Sequence, residues 1–347
     1  MKRCKILSVV GARPQFIKAA PVSKALAARG DLHEVIVHTG QHFDDNMSST
    51  FFDELALPAP AYQLGIHGGT HGAMTGRMMI ALEEVMLREQ PRAVLVYGDT
   101  NSTLAGALSA AKLRIPIGHV EAGLRSFDQM PEEINRTVTD RVSHWLFCPT
   151  ANAVDNLASE GLTRGVHFVG DVMYDVSLMM RERAQASSTI LKRLGLTPGG
   201  FQLATLHRAE NTDNRDALLH ALHYLDQAAR EAPLLLPLHP RTCAAIARFG
   251  LDFGAIRAVD PVGYIDMTAL LDGCSRVLTD SGGLQKEAYF FRKPCITLRD
   301  VTEWRETVDA GWNKLWGDAD YKPRAEIAAY GDGHAADKII DLLQAEL

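Results

Sequence analysis

The sequence predicts an α/β protein whose parallel sheets are covered by helices on both faces. Three observations support this prediction. Short apolar runs recur along the 347 residues, stretches with helical apolar spacing separate them, and polar or glycine-rich turns follow them. Strands that alternate with helices pair in parallel, because each helix returns the chain to the start of the next strand.

The first half of the chain contains five predicted strands. They are short apolar runs at Lys5–Val10, Glu34–His38, Ala93–Tyr97, Ile115–Val120 and Trp145–Cys148. The predicted helices between them are Phe16–Ala28, Asn46–Leu55, Met74–Arg88, Ser102–Lys112 and Glu132–Ser143, and residues 58–71 are expected to form a loop. Polar side chains follow four of the strands, at Arg13, Gln41–His42, Asp99 and Glu121. Because open parallel sheets bind ligands outside the carboxyl ends of their strands, these positions predict a ligand site.

The second half repeats the alternation and predicts a second domain. Its expected strands are Val166–Val169, Phe201–Thr205, Leu234–Leu238, Arg276–Thr279 and Pro294–Leu298. Its expected helices are Met180–Arg193, Asp216–Arg230, Tyr264–Leu271, a helix that starts near Leu284, and Ala335–Leu347. We place the domains at 1–168 and 169–332, with the helix 333–347 packing back on the first domain. Two carboxyl edges that face each other would form one cleft.

Composition and motifs argue against several classes of partner and cofactor. The formal net charge of -6 argues against a general nucleic-acid binder, and no apolar run approaches the length of a membrane span. The five cysteines are scattered and form no CxxC pair, which predicts free thiols in a reducing cytosol rather than disulfides or a metal site. No histidine spacing suggests zinc, and no GxGxxG fingerprint follows the first strand, which weakens a dehydrogenase hypothesis.

A glycine turn near residue 280 predicts an anion site. Ser281-Gly282-Gly283 follows an expected strand and opens an expected helix, so free N–H groups and the helix dipole would meet a bound phosphate. Glu287, one turn into that helix, is placed to hold a ribose hydroxyl. An ordinary strand-to-helix turn with a serine cap explains the same residues, and this stretch alone leaves both explanations open.

Carboxylates and histidines near strand ends predict acid–base chemistry. Three carboxylates come from the first half and two histidines from the second: Asp99, Glu121, Glu132, His207 and His239. Arg13 and Lys18 add positive charge near the first turn, so the set suits an anionic leaving group such as a diphosphate. Each has a structural alternative: Asp99 as a helix cap, Glu132 as a first-turn acid, and His207 in a surface turn.

Seven segments occur together in an order that resembles a known family. They are Gly11–Pro14, Thr39–His42, Gly98–Thr100, His119–Arg125, Pro131–Arg136, His207–Asn211 and Leu278–Glu287. The set is similar to the non-hydrolysing UDP-N-acetylglucosamine 2-epimerases over about residues 5–312. The resemblance implies two Rossmann-like domains facing across a cleft, which is the glycosyltransferase-B architecture. It also implies a UDP-sugar substrate, a homodimer, and no redox cofactor or metal.

The resemblance also implies a mechanism and a set of site residues. A base removes the proton at C2 and UDP leaves C1, giving a 2-acetamidoglycal. UDP then adds back, and C2 is protonated on its other face. The implied catalytic residues are Asp99, Glu121, Glu132 and His207, and which carboxylate removes the C2 proton stays open. The implied substrate contacts are Arg13, Lys18, Gln41, His42, Arg136, His239, Ser281, Gly282, Gly283 and Glu287.

Two departures from the family pattern bear on the sugar. The ending Thr-Glu-Arg-Pro is here Thr302-Glu303-Trp304-Arg305, so Trp304 replaces an arginine, for which Arg305 is a candidate substitute. The segment 126–130 is also short. Both features resemble the branch that acts on UDP-2,3-diacetamido-2,3-dideoxyglucuronate for bacterial surface polysaccharide, such as lipopolysaccharide O-antigen. UDP-N-acetylglucosamine remains the other candidate substrate.

Three alternative functions follow from the same residues. A glycosyltransferase of this architecture would need an acceptor site and would consume its donor. A hydrolysing epimerase would release free UDP in stoichiometric amount. A non-catalytic nucleotide-sugar sensor would bind its ligand without turnover. The cluster of carboxylates beside Asp99 favours the epimerase over the glycosyltransferase.

Overall fold

The computed structural model describes residues 4–41, 54–126 and 130–347. Its contacts divide the chain into two compact units, of which the first runs to Val176 and includes Ala328–Leu347. The second unit is Ser177–Ile327. The boundary expected at residue 168 precedes a helix, Val172–Ser187, whereas the contacts divide the chain within that helix. Most of the helix predicted at 46–55 lies outside the described residues.

The first unit is built on a parallel sheet. Its described strands are β1 (Cys4–Val10), β2 (Leu32–His38), β3 (Tyr62–Gln63), β4 (Ala93–Tyr97), β5 (Ile117–Val120), β6 (Trp145–Cys148) and β7 (Val166–Phe168). They pair in the order β3-β2-β1-β4-β5-β6-β7. The described helices of this part are α1 (Arg13–Ala27), α2 (His71–Glu89), α3 (Asn101–Lys112), α4 (Pro131–Val142), α5 (Ala151–Ser159) and α6 (Val172–Ser187). The strand order reverses direction between β1 and β4, the place where such sheets bind ligands.

The second unit repeats the plan with a second parallel sheet. Its strands are β8 (Gln202–Thr205), β9 (Leu234–Pro237), β10 (Arg257–Val259), β11 (Arg276–Thr279), β12 (Cys295–Thr297) and β13 (Asn313–Leu315), in the order β10-β9-β8-β11-β12-β13. Its helices are α7 (Ile190–Leu194), α8 (Ala209–Thr212), α9 (Arg215–Glu231), α10 (Pro240–Phe249), α11 (Tyr264–Gly273), α12 (Gly282–Phe290) and α13 (Arg305–Asp309). A short 3-10 helix, Ala328–Tyr330, and α14 (Ala335–Glu346) return the chain to the first unit.

Close packing explains why small residues line the first sheet. Gly118 lies in β5, and a Cβ atom there would lie 2.7 Å from Leu95 and 2.9 Å from Phe147. Gly106 in α3 is likewise tight, since its Cβ would be 3.1 Å from Val96 on β4. The central strands are therefore buried on both faces, as their unbroken apolar sequences predict.

The predicted α/β class is confirmed, and several element predictions need correction. The region 58–71, expected to be a loop, contains the short strand β3. The helix expected over 180–193 is broken at Ser188–Thr189, where α6 ends and α7 begins. The sequence analysis also missed β10, β13, α5 and α10. Among the described residues, no helix combines the length and apolar character needed to cross a bilayer.

A buried aspartate attaches the last helix to the first unit. The carboxylate of Asp175 in α6 accepts hydrogen bonds from the backbone N–H groups of Ala335, at 3.1 Å, and Ala336, at 2.8 Å. These are N–H groups of the first turn of α14, which have no partner inside the helix. Trp145 Nε1 also donates to Glu346 at 2.8 Å, so both ends of α14 are held.

We expect Asp175→Ala to lower the free energy of unfolding by about 1–2 kcal/mol, because two helix N-terminal N–H groups lose their acceptor. The exposed residue Asp337 lies on the same turn of α14. Asp337→Ala is the matched control, with an expected change within about 0.5 kcal/mol. Chemical denaturation followed by circular dichroism measures both variants, and equal effects would contradict this role for Asp175.

Candidate active site

Two carboxylates of the first unit lie beside cations at the carboxyl edge of its sheet. Glu121 follows β5, and its carboxylate accepts a hydrogen bond from Lys18 of α1. Asp99 follows β4 and forms an ion pair with Arg136 of α4. The structure therefore brings together four of the predicted site residues from four separate segments of the chain.

The Lys18–Glu121 pair has a defined charge state. Burial alone would lower the pKa of the Lys18 ammonium, but the carboxylate of Glu121, with Asp99 and Asp171, raises that pKa above its ordinary value. Lys18 therefore stays protonated. Its positive charge lies beside Glu121 at the carboxyl edge of the sheet.

The backbone around these carboxylates is constrained. Glu121 has a φ of 72°, in the left-handed region that costs a residue with a side chain about 1–3 kcal/mol. Gly98 has a φ of 61°, and a Cβ there would lie 3.3 Å from Glu121 Oε2 and 3.5 Å from Lys18 Nζ. A side chain at residue 98 would therefore crowd the ion pair. Such strain is typical of positions held for function.

Helix α4 holds Asp99 through two consecutive residues. Asn135 Nδ2 donates to the backbone carbonyl of Asp99 at 2.9 Å. Arg136 contacts the Asp99 carboxylate and donates to Glu133 Oε2 at 2.9 Å. Arg136 was predicted to bind substrate, and here it also positions a candidate catalytic carboxylate.

Three more predicted residues of the first unit have other surroundings. Gln41 Oε1 accepts from the Ser102 backbone N–H at 3.0 Å and from its hydroxyl at 2.8 Å, so it caps the start of α3. Arg13 and Glu132 are exposed in the first turns of α1 and α4. His42 lies outside the described residues. Substrate contact by these residues stays a prediction.

A buried aspartate organises the candidate histidines of the second unit. Asp280 follows β11 and is fully buried. Its carboxylate accepts from the backbone N–H groups of His207, at 3.0 Å, and Arg208, at 2.9 Å, and from Asn211 Nδ2 at 3.1 Å. The ring of His207 lies 3.6 Å from the same carboxylate. Asp280 therefore fixes the turn after β8.

The two predicted histidines of this unit lie side by side. The ring centroids of His207 and His239 are 5.4 Å apart. Burial lowers the pKa of His239, and the positive charges that His207 and Arg241 can carry lower it further. His239 therefore favours its neutral form, in which its Nδ1 accepts from the Arg241 N–H at 3.2 Å.

The predicted anion turn has the expected local structure. Helix α12 begins at Gly282, and the Ser281 side chain makes no capping hydrogen bond to it. A Cβ at Gly282 would lie 2.2 Å from Glu303 Oε1, so a side chain there would displace the end of the Glu303 side chain. Gly283 is exposed with open space around it. The first turn of α12 therefore presents backbone N–H groups, which favour bound anions.

Glu287 lies in α12, and Trp304 contacts Lys286 of the same helix. Burial raises the pKa of the half-buried Glu287 carboxyl to about 7, although Tyr264, with its hydroxyl 3.3 Å away, opposes the shift. Lys286 Nζ lies 4.2 Å from the ring centroid of Trp304, a cation–π contact. The Trp304 indole N–H is buried and has no hydrogen-bond partner among the described residues. An arginine at 304 would place a second cation beside Lys286.

The sequence analysis missed two residues that organise these sites, Asp280 and Asp140. Asp280 stood inside the quoted glycine motif, directly after a strand, and that position was its only signal. Asp140 lies in α4 and contacts loops that are distant in the sequence, so nothing local indicated its role. In the parts of the chain that the structure describes, no three His, Cys, Asp or Glu side chains are grouped to hold a metal ion.

Comparisons with known proteins find one family of similar sequences. A family model described as UDP-N-acetylglucosamine 2-epimerase matches residues 24–344. UDP-2,3-diacetamido-2,3-dideoxy-D-glucuronate 2-epimerase of Pseudomonas aeruginosa is 57% identical over 321 residues, which cover 91% of this chain and 89% of the relative.

Solved structures show the same fold. The UDP-GlcNAc 2-epimerase of Methanocaldococcus jannaschii has a TM-score of 0.88 at 39% identity, with 99% of this chain and 100% of that chain covered. Its complex with UDP-GlcNAc and UDP has a TM-score of 0.79 at 40% identity over the same shares of the two chains. UGT2 of Phytolacca americana, at 13% identity and a TM-score of 0.58 over 98% of this chain and 90% of that chain, shares the fold alone.

These matches confirm the glycosyltransferase-B-like fold predicted from the sequence, with one parallel sheet in each unit. The family match covers nearly the whole chain, and it includes the strand ends that carry Asp99, Glu121 and the turn at Ser281. The chain belongs to the UDP-N-acetylglucosamine 2-epimerase family.

Proposed function

We propose that this protein inverts C2 of a UDP-2-acetamido sugar without releasing free UDP. The observation that carries the proposal is the pair of carboxylates, Asp99 and Glu121, each beside a cation at one sheet edge of a chain in this family. Carboxylates in different surroundings can divide the roles of base and acid.

The proposed reaction is an elimination followed by an addition. One of Asp99, Glu121 and Glu132 removes the proton at C2 while the bond from C1 to the UDP oxygen breaks. The glycal then takes UDP back at C1 and a proton on the other face of C2. UDP returns to C1, and a proton from solvent replaces the one removed from C2, so the sequence of steps consumes neither oxidant nor reductant.

The second unit supplies the proposed UDP contacts. The turn Ser281-Gly282-Gly283 would hold the diphosphate with backbone N–H groups, Glu287 would hold the ribose, and His207 and His239 would line the same site. The related archaeal epimerase was solved in complex with UDP-GlcNAc and UDP, which supports a UDP ligand for this fold. Retention of UDP separates this reaction from hydrolysis.

We propose UDP-2,3-diacetamido-2,3-dideoxyglucuronate as the substrate, converted to the manno form. The relative with this activity in its name is 57% identical, whereas the archaeal UDP-N-acetylglucosamine 2-epimerase is 41% identical. Trp304 supports the same choice, because the segment Thr302-Glu303-Trp304-Arg305 resembles that branch of the family. The product would serve bacterial surface polysaccharide, and loss of the gene should remove the manno-configured residue from that polymer. The free cysteines agree with a cytoplasmic enzyme.

Epimerisation in heavy water tests the reaction and the sugar together. We expect deuterium at C2 of both epimers, because the proton that returns comes from solvent. Turnover of the diacetamido uronate should exceed that of UDP-N-acetylglucosamine by about tenfold or more. Asp99→Asn should slow deuterium incorporation by at least ~100-fold, because an amide cannot exchange the proton. Proton NMR of the C2 signal measures the rate for each sugar and for the variant.

The control for this experiment is Glu83→Gln, which changes an exposed carboxylate on α2 and should leave the rate unchanged. Failure to find deuterium at C2 with any UDP-2-acetamido sugar would reject the epimerase. Free UDP formed in stoichiometric amount would indicate the hydrolysing enzyme. Consumption of the sugar only in the presence of an acceptor would indicate a glycosyltransferase.

The raised pKa of Glu287 predicts that ribose binding depends on pH. With a pKa near 7 in the folded protein, its carboxyl is ionised above that pH and accepts two ribose hydroxyls, and it is protonated below. The affinity for uridine, which has no phosphate to titrate, should therefore rise about tenfold from pH 6 to pH 8. Glu287→Gln should remove this dependence. Calorimetric titration measures both, and an unchanged slope in the variant would contradict the assignment.

We also propose a homodimer. Ile80 and Leu87 on α2 are 65% and 60% exposed, and they lie two helical turns apart on one face. Large apolar side chains exposed on one helix face favour contact with a second copy. We expect light scattering to give twice the chain mass, and Ile80→Lys with Leu87→Lys to give the monomer mass. A monomeric unaltered protein would contradict this proposal.

A further inference from the structure

A fully buried histidine in the first unit has no part in the proposed chemistry. His119 lies in β5, between Gly118 and Val120, and is 0% exposed. Its Nδ1 lies 2.7 Å from Asp140 Oδ1, and its Nε2 lies 2.8 Å from the backbone carbonyl oxygen of Gly98. A buried polar ring in the middle of a central strand requires an explanation.

The two partners of His119 determine the protons on its ring. A backbone carbonyl accepts hydrogen bonds and never donates them, so Nε2 must carry a hydrogen. The Asp140 carboxylate also accepts from the Gly123 N–H at 3.2 Å and from Arg125 at 2.8 Å. Burial alone would raise the pKa of Asp140, but His119 and Arg125 hold it below its ordinary value, so this carboxylate is ionised. Nδ1 therefore donates as well, and the ring is a cation.

The charges around this ring alternate along a buried chain. Arg125 contacts Asp140 on one side and Glu160 on the other, where Nε and Oε1 are 2.7 Å apart. Positive His119, negative Asp140, positive Arg125 and negative Glu160 follow one another, and each charge has an opposite neighbour. Buried charges persist when they are paired and hydrogen-bonded in this way.

The ring connects this chain of charges to a candidate catalytic residue. Gly98 immediately precedes Asp99, and its N–H also bonds to the Val120 carbonyl at 3.0 Å. The peptide groups on both sides of Gly98 are thus fixed to β5. Asp140 holds the N–H of Gly123, two residues after Glu121. One histidine–aspartate pair therefore joins the turn that carries Asp99 to the turn that carries Glu121.

We propose that His119 and Asp140 are positioning residues for the epimerase. The Nε2–H of the charged ring fixes the Gly98 carbonyl and, through it, the place of the Asp99 carboxylate. This inference rests on the proposed function, in which Asp99 takes part in proton transfer. A displacement of about 1 Å at a reacting group costs on the order of 100-fold in rate.

Two amide substitutions separate the contacts of the ring. In His119→Gln the amide nitrogen reaches as far as Nε2 and keeps the donor to Gly98, whereas in His119→Asn it reaches only as far as Nδ1. Both variants lose the ring and its charge. We expect kcat of His119→Gln to stay within about tenfold of the unaltered protein and kcat of His119→Asn to fall about 100-fold. KM and the affinity for UDP should change by roughly twofold or less in both.

Several outcomes would overturn the inference. A purely structural role predicts equal kcat for both variants, or a loss that follows the melting temperature rather than the contact with Gly98. Unaltered protein that gives no deuterium at C2 would reject the proposed function itself. Normal deuterium incorporation in both variants would reject only the role of His119.

NMR of the unaltered protein tests the charge on the ring even where a variant fails to fold. With 15N-labelled histidine, the ring nitrogens of His119 should both show the chemical shifts of protonated nitrogen at neutral pH. A proton on one nitrogen alone would contradict the geometry on which the proposal depends.

Discussion

A buried aspartate ties together the loops at the carboxyl edge of each sheet. Asp140 does so in the first unit, where it meets His119, Arg125 and a backbone N–H. Asp280 does so in the second, where it accepts from two backbone N–H groups and an asparagine. Loops at this edge expose many N–H groups, and an ionised carboxylate is the side chain that accepts several of them at once. Removing either would free the turns on which the candidate residues depend.

The pairing of charges in the first unit has a consequence for substrate binding. Lys18 neutralises Glu121, and Arg136 neutralises Asp99. In the proposed reaction each carboxylate would meet the substrate with its cation already in place, so these side chains would not have to reorganise as charge develops. The left-handed backbone at Glu121 shows that the fold accepts strain to keep this arrangement.

Sequence reasoning predicted the features that depend on local patterns and missed those that depend on contacts between distant residues. Alternating apolar runs are local patterns, so the class, the parallel sheets and the position of Asp99 and Glu121 after strands followed from them. The strands β3, β10 and β13 have two or three residues, too few to show a periodic pattern. Asp140 and Asp280 act through residues far away in the chain, and their partners are set by tertiary packing. For the same reason Gln41 and Arg136, predicted as substrate contacts, have protein partners that the sequence did not indicate.

The contact between Lys286 and Trp304 affects which substitutions these two positions can accept. A tryptophan at 304 stabilises a cation over its ring, whereas the arginine of the wider family would repel that cation. The two positions are therefore coupled, because a change at one alters the electrostatic surroundings of the other. An arginine introduced at residue 304 is therefore expected to be tolerated better when residue 286 carries no positive charge.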